Sequence, residues 1–309
     1  MDAVVELTWM YSRRVLKIPT TLGRRDLLKR ERLPLVSDNS KPDELIRDDG
    51  AAALGAFNAP PRWVLLLRSS VFAIGYAITV VLFAVPAVFT YPLPFRWRYG
   101  FVSQWARFNI WWLHVTCGLG FEVEGKEHIP AEAAVIFCKH QSAWETLALQ
   151  LIFPPQIWLL KRELLWIPFF GWGLAVLDPI AIDRSQKRTA LKSLLQQGKQ
   201  RLQTGRWVVI FPEGTRVPPG THRPFQLGGA KLAEHAGVPV VPVAHNAGYF
   251  WPRRSFLKYP GTIRICIGPK IPTAGRKTAE INADAEAWIR EHSARLARDP
   301  YATDARHDG

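Results

Sequence analysis

From Ser69 to Phe95 the chain carries no charged residue, and most of that run, VFAIGYAITVVLFAVPAVF, is apolar. About 20 apolar residues are enough for a helix to cross the hydrocarbon core of a bilayer, so this segment is long enough to do so. Its flanks are basic: Arg62 and Arg68 precede it, Arg96, Arg98 and Arg107 follow it, and no acidic residue stands between Asp49 and Glu122. Trp97, Tyr99, Trp105, Trp111 and Trp112 interleave with those arginines. Such mixing suits a headgroup boundary, where amphipathic rings and guanidinium groups lie half in oil and half in water. Basic residues on both flanks leave the orientation open. The competing reading is a hydrophobic hairpin packed onto a soluble domain. Length and flanks favour a membrane-embedded helical segment over 63 to 118, either spanning or re-entrant.

The rest of the chain is of another kind. With 309 residues, 48% of them hydrophobic, and a mean hydropathy of −0.03, a polytopic membrane protein and a disordered chain are both excluded. Length allows one or two domains. The 40 Lys+Arg against 26 Asp+Glu, a net charge of +14, call for an anionic partner: nucleic acid, an anionic bilayer surface or a phosphorylated substrate. Cys117, Cys138 and Cys266 are odd in number and lack CxxC spacing, so neither a disulfide framework nor a zinc cluster is expected and a reducing compartment is. Residues 1 to 62 read as a disordered N-terminal extension with room for one helix, without the residue order of a secretory signal. Residues 299 to 309 read as a polar tail.

Beyond Phe121 short apolar runs alternate with amphipathic stretches. Residues 133 to 138, 176 to 183, 207 to 211, 238 to 245 and 262 to 268 read as strands, several continuous enough to be buried on both faces. Leu191, Leu194, Leu195 and Leu202 recur at helical spacing, Phe225 to Ala236 forms a helix ended by Gly237, and Thr278 to Arg298 forms a final helix. The expected fold is α/β over 119 to 298: a mixed, largely parallel sheet flanked by helices.

The chemistry-bearing residues cluster where strands end, the edge at which open α/β sheets place ligands. Lys139-His140-Gln141-Ser142-Ala143-Trp144-Glu145 follows one strand and precedes a helix. A carboxylate reaching the far imidazole nitrogen would fix the tautomer and stabilise the cation when the other nitrogen takes a proton. Five residues on one helix turn through about 500°, so the pair meets only if His140 lies in the turn and Glu145 in the first helical turn. Ser142-x-x-Glu145 equally matches a capping box, a purely structural role. In Phe211-Pro212-Glu213-Gly214-Thr215-Arg216, Pro and Gly shape a turn, Thr215 and turn amides donate hydrogen bonds, and Arg216 can fork onto a phosphate; a Glu213–Arg216 ion pair is the plainer alternative. Arg184, after Ile182-Asp183, offers a second guanidinium, and Lys161 precedes the apolar loop Trp166 to Gly171. His222, His235 and His245 lack metal-site spacing, and no GxSxG, GxxxxGK[ST] or GxGxxG occurs.

These stretches, with Val-Pro-Val-Val-Pro-Val at 238 to 243, stand in one order that resembles the glycerolipid acyltransferase family, and most closely its bacterial-type 1-acyl-sn-glycerol-3-phosphate acyltransferases. The resemblance covers about residues 64 to 270. It implies that His140 deprotonates the free hydroxyl of lysophosphatidate for attack on an acyl thioester, and that Glu145 pairs with His140. It further implies that Arg184, Arg216 and Glu213 hold the glycerol phosphate, with Lys161 a weaker match. The family's usual acid is aspartate, one methylene shorter than Glu145, and its middle motif commonly has glycine near Asp178.

The expected function is therefore transfer of an acyl chain from acyl-CoA or acyl carrier protein to lysophosphatidate at a lipid bilayer, giving phosphatidate, with the catalytic domain on the cytoplasmic side. Because a thioester is already activated, no cofactor or metal is expected. Turn amides near Gly214 are candidate oxyanion donors, and Gly214 and Thr215 belong to the candidate substrate site. The alternatives are acylation of another lysophospholipid or a lyso-ornithine lipid, or a non-catalytic membrane lipid-binding protein. Nucleic-acid binding rests on charge alone and is not expected, since no RNP pattern, zinc finger or helix-turn-helix accompanies it.

Overall fold

The computed structural model describes residues 60–183 and 187–298. The extension expected over 1 to 62 lies outside the described residues as far as residue 59, as do Arg184 and the tail from 299 to 309.

The uncharged run forms most of helix α1 (Arg62–Phe89), which follows the extended Pro61; helix α2 (Phe95–Cys117) follows the extended Pro94. Between them a turn is closed by the Leu93 amide on the Thr90 carbonyl at 2.9 Å. The two helices pair as a hairpin. Leu65, Phe72, Tyr76, Val80, Ala84 and Ala87 of α1 are buried, whereas Leu67, Val71, Ile74, Ile78, Leu82, Val85 and Phe89 are exposed. Both sets repeat every three to four residues, so one face of α1 packs inward and the other presents a continuous apolar stripe. At 1.5 Å per residue α1 is roughly 40 Å long, enough to cross a bilayer. The Trp105 indole donates to the Thr79 hydroxyl at 3.2 Å, and the Asn109 amide donates to the same oxygen at 3.3 Å, which ties the two helices together through one hydroxyl. Phe72 meets Trp251 edge-on at 5.4 Å, and the Lys258 amide donates to the Ser69 hydroxyl at 2.9 Å; both contacts fix the hairpin to the domain.

The domain is a seven-stranded sheet in the order β1-β7-β6-β2-β5-β3-β4, formed by β1 (Leu119–Glu124), β2 (Val135–Cys138), β3 (Gln156–Lys161), β4 (Ile180–Ile182), β5 (Trp207–Ile210), β6 (Val240–His245) and β7 (Gly261–Ile267). β6, β2, β5, β3 and β4 run parallel; β7 opposes β6, and β1 runs parallel to β7. Every residue of β2, β5 and β6 is buried, the signature of strands covered on both faces. One cover consists of α5 (Lys187–Gln203), α6 (Gly228–Ala236) and, after the single-turn α7 (Ala247–Phe250), α8 (Thr278–Arg298); Leu194, Leu202, Leu232, Ala233, Ile281 and Ile289 of this cover pack with Val135, Phe137, Val208 and Val240. α3 (Trp144–Ile152) covers the other face: its Trp144 contacts Phe121 and His245, and His245 points opposite to Val240 on β6. Gly237 ends α6 in the left-handed region (φ 68°), as its position predicts.

The expected strand over 176 to 183 contracts to Ile180–Ile182. Val176 caps the short helix α4 (Phe170–Ala175), and Asp178 turns left-handed (φ 48°), so the chain enters the sheet only afterwards. α6 begins at Gly228 rather than Phe225, whose amide is taken by Glu286. Periodicity did not flag β1 or β3. β7 is the partner of β1, and β3 is a short buried run between Pro155 and the Arg162–Trp166 3-10 turn.

Candidate active site

β2 and β5 are adjacent and parallel, so the loops after Cys138 and Ile210 leave the sheet together at its carboxyl edge. Residues 73 positions apart in sequence thereby touch: the His140 amide donates to Glu213 Oε2 at 3.0 Å. Farther along the second loop, the Val217 amide donates to the His140 carbonyl at 2.7 Å. This bond brings Arg216, partly exposed, against the His140 turn.

His140 lies in the turn and Glu145 in the first turn of α3, the arrangement their spacing requires. Nδ1 of His140 is 2.8 Å from Glu145 Oε1. An ionised carboxylate only accepts, so Nδ1 carries the proton and Nε2 keeps its lone pair. The same carboxylate accepts the Gln141 amide at 3.0 Å and the Ser142 amide at 2.9 Å and 3.1 Å. The capping contact and the imidazole contact therefore coexist in one buried group. Burial alone would push the Glu145 carboxyl up; the hydrogen bond from His140 and nearby positive charges, that of Arg216 among them, outweigh it and hold the group below its ordinary value. The His140 ring stacks on Phe211 at 4.0 Å with planes 16° apart, and its side chain is 16% exposed. An oriented imidazole with a free nitrogen and a carboxylate behind it is equipped to take a proton from a hydroxyl.

Glu213, expected to help hold the glycerol phosphate, is fully buried. One oxygen meets Lys139 Nζ at 2.6 Å and the other takes the His140 amide. Lys139 also donates to the Thr221 carbonyl at 3.1 Å. Burying a carboxylate on its own is prohibitive, and the paired ammonium and amide explain how this one is tolerated. The Gly214 amide, a candidate oxyanion donor, is committed to the Phe211 carbonyl at 2.9 Å. Thr215 is partly exposed. Lys161 is exposed at the end of β3, two strands or roughly 10 Å from β2 along the sheet.

Besides Lys139, three supporting residues had no role assigned from the sequence. The Gln141 side-chain oxygen accepts the Gly248 amide at 3.2 Å. Phe211 supports the imidazole face. His245, fully buried, donates from Nε2 to the Lys139 carbonyl at 2.7 Å and accepts the Ala247 amide at Nδ1 at 3.2 Å; burial holds its pKa low, so it remains neutral. Its signal was available: a polar residue closing an otherwise apolar buried strand at the ligand edge.

Residues 120–246 match the family model described as Acyltransferase. Over 237 residues the chain is 51% identical to the 1-acyl-sn-glycerol-3-phosphate acyltransferase of Pseudomonas aeruginosa, covering 75% of this chain and 89% of that one. It is 30% identical over 195 residues to the 1-acyl-sn-glycerol-3-phosphate acyltransferase alpha of Bos taurus, covering 62% and 67%. The crystal structure of the 1-acyl-sn-glycerophosphate acyltransferase PlsC from Thermotoga maritima superposes with a TM-score of 0.64 over 79% of this chain and 98% of that one; at 22% identity this likeness shows the fold. The matched domain and the 51% identical relative define an acyltransferase. Among acyltransferases, the chain belongs to the 1-acyl-sn-glycerol-3-phosphate acyltransferase family.

Proposed function

We propose that the chain transfers an acyl group from a thioester, acyl-CoA or acyl carrier protein, to the free hydroxyl of lysophosphatidate, forming phosphatidate. The names of its relatives support the acceptor, and the observation that carries the chemistry is the 2.8 Å contact from His140 Nδ1 to Glu145. An alcohol is a poor nucleophile near neutral pH. Nε2 of His140 removes its proton as the oxygen attacks the thioester carbonyl, an effect typically worth about 10²–10⁴-fold. The tetrahedral intermediate collapses with loss of the thiolate, which takes the proton back from the imidazolium. Glu145 holds the tautomer and stabilises that cation.

Arg216 and Thr215, on the loop bonded to the His140 turn, bind the acceptor phosphate and so hold the hydroxyl near Nε2. Arg184 is proposed as a second clamp and Lys161 as an outer contact. Gly214 shapes the loop and Glu213 anchors it. The apolar stripe of α1 beds the hairpin in a bilayer, from which both amphiphilic substrates reach the cleft, with the domain on the reducing, cytoplasmic side. Radiolabelled acyl transfer to lysophosphatidate tests the reading. Wild type transfers label, His140→Ala reduces kcat by at least about 10²-fold, and Arg216→Ala chiefly raises the KM for lysophosphatidate. Near-normal transfer by folded His140→Ala would overturn it.

A further inference from the structure

At the opposite edge of the sheet from His140, before β4 and β5, two guanidinium groups meet the Asp178 carboxylate and a third reaches the backbone carbonyl of the same residue. Arg98 donates from Nη2 to Asp178 Oδ2 at 2.9 Å and from Nη1 to the Val176 carbonyl at 2.8 Å. Arg206 donates to the same Oδ2 at 3.3 Å, and Arg201 donates to the Asp178 carbonyl at 3.4 Å. Nε of Arg98 is buried with no hydrogen-bond partner among the described residues. Burial and the charges of Arg201 and Arg98 lower the pKa of Arg206 against the pull of Asp178. One carboxylate therefore leaves positive charge in excess at a partly buried place, a condition an additional anion relieves.

The cluster adjoins an open-sided apolar cavity of about 510 Å³ lined by Val85, Val88, Phe89, Tyr91, Trp172 and Val176, most of them exposed. Arg98 forms the junction: its guanidinium stands 5.3 Å from the Tyr91 ring centroid and bonds the Val176 carbonyl. Arg206 stacks on Phe95 at 4.0 Å, where the hairpin turn enters α2. The volume falls in the range of ligand sites. An apolar cavity at the end of a lipid-length helix, with guanidinium groups adjoining it, is complementary to an amphiphile that has an apolar chain and an anionic head.

We propose that this cavity and cluster bind one anionic phospholipid from the surrounding bilayer, with an acyl chain between α1 and α4 and the phosphate on Arg206 and Arg98, at a site separate from the His140 cleft. Native mass spectrometry of the full chain in detergent, with dioleoyl phosphatidylglycerol and dioleoyl phosphatidylcholine added in turn, tests this directly. Phosphatidylglycerol is neither acceptor nor product of the proposed reaction, so the result stands whether or not the acyl-transfer reading holds. Wild type retains one phosphatidylglycerol at least about tenfold more tightly than phosphatidylcholine, and Arg206→Gln weakens it about tenfold. Ala175→Trp, made at an exposed position of the cavity wall, abolishes retention without touching the core, and Arg216→Ala retains it. Equal retention of both lipids, indifference to both cavity variants, or loss in Arg216→Ala would overturn the proposal. So would displacement by millimolar inorganic phosphate together with undiminished phosphate binding in Ala175→Trp, which would reduce the site to a bare anion site.

Discussion

The Glu145 carboxylate closes the Ser142 turn and orients His140 with the same two oxygens. In Glu145→Gln the neutral side chain still accepts an amide proton but no longer stabilises an imidazolium, and kcat is expected to fall about 10²–10⁴-fold. Stability follows from the depressed carboxyl. In wild type the ionised form contributes fully above its ordinary value of 4.5, and this contribution declines as pH falls through the lower folded value. Urea midpoints measured from pH 7 to pH 3 are therefore expected to separate wild type from Glu145→Gln at neutral pH and to converge below about 4.5; a constant gap would assign the stabilisation elsewhere. The buried Lys139–Glu213 pair makes a second test. Lys139→Met strands a buried carboxylate and is expected to cost about 3–5 kcal/mol by urea unfolding, while adding Glu213→Gln recovers part of that loss. His140 and Glu145 were legible because both sit in one strand-to-helix stretch. The inward turn of Glu213 was not, because a carboxylate beside an arginine in sequence gives no sign of a lysine reaching it from the neighbouring strand.

Among the elements, those whose signal is internal were readable in advance. α8 carries its own periodicity, and α6 ends where Gly237 permits. β4 and the segment before it were misread because a continuous apolar run does not distinguish a buried strand from a helix end followed by a turn; Phe169 (φ 61°) and Asp178 (φ 48°) both reverse the chain there in conformations no sequence pattern announces. The corner between the Arg162–Trp166 turn and α4 is also tight. A Cβ on Gly171 would collide with the Leu165 carbonyl oxygen, and backbone cannot swing aside as a side chain does. Gly171→Ala is expected to lower stability by about 1–3 kcal/mol, measured as the urea midpoint, despite the better helix propensity of alanine. Because α4 packs on α1, the same variant is expected to loosen the hairpin first, seen as faster amide exchange in α1 than in α5. Uniform exchange changes would show that the corner is not what seats the hairpin.

For the molecule as a whole, two forces act toward a membrane, and they separate by sign. The net charge of +14 attracts the chain to an anionic surface from a distance. The stripe through Leu67, Ile74, Ile78 and Leu82 on α1 is a row of exposed apolar side chains along one helix face, and it gains free energy only where water is excluded. Replacing Ile74 and Ile78, at 61% and 53% exposure, by lysine strengthens the first force and weakens the second. Neither residue supports the core, so the fold and transfer activity in detergent are expected to be unchanged. On zwitterionic phosphatidylcholine vesicles, where long-range attraction is absent, flotation of Ile74→Lys/Ile78→Lys is expected to fall about tenfold or more, since each lysine costs up to about 2.5–3.5 kcal/mol within hydrocarbon. On anionic vesicles at low salt the variant is expected to bind still, and to come off as salt rises and the Debye length shortens, while wild type stays bound. Salt-resistant binding of the double variant would mean that α1 does not seat the protein in lipid, and that its apolar stripe meets another surface.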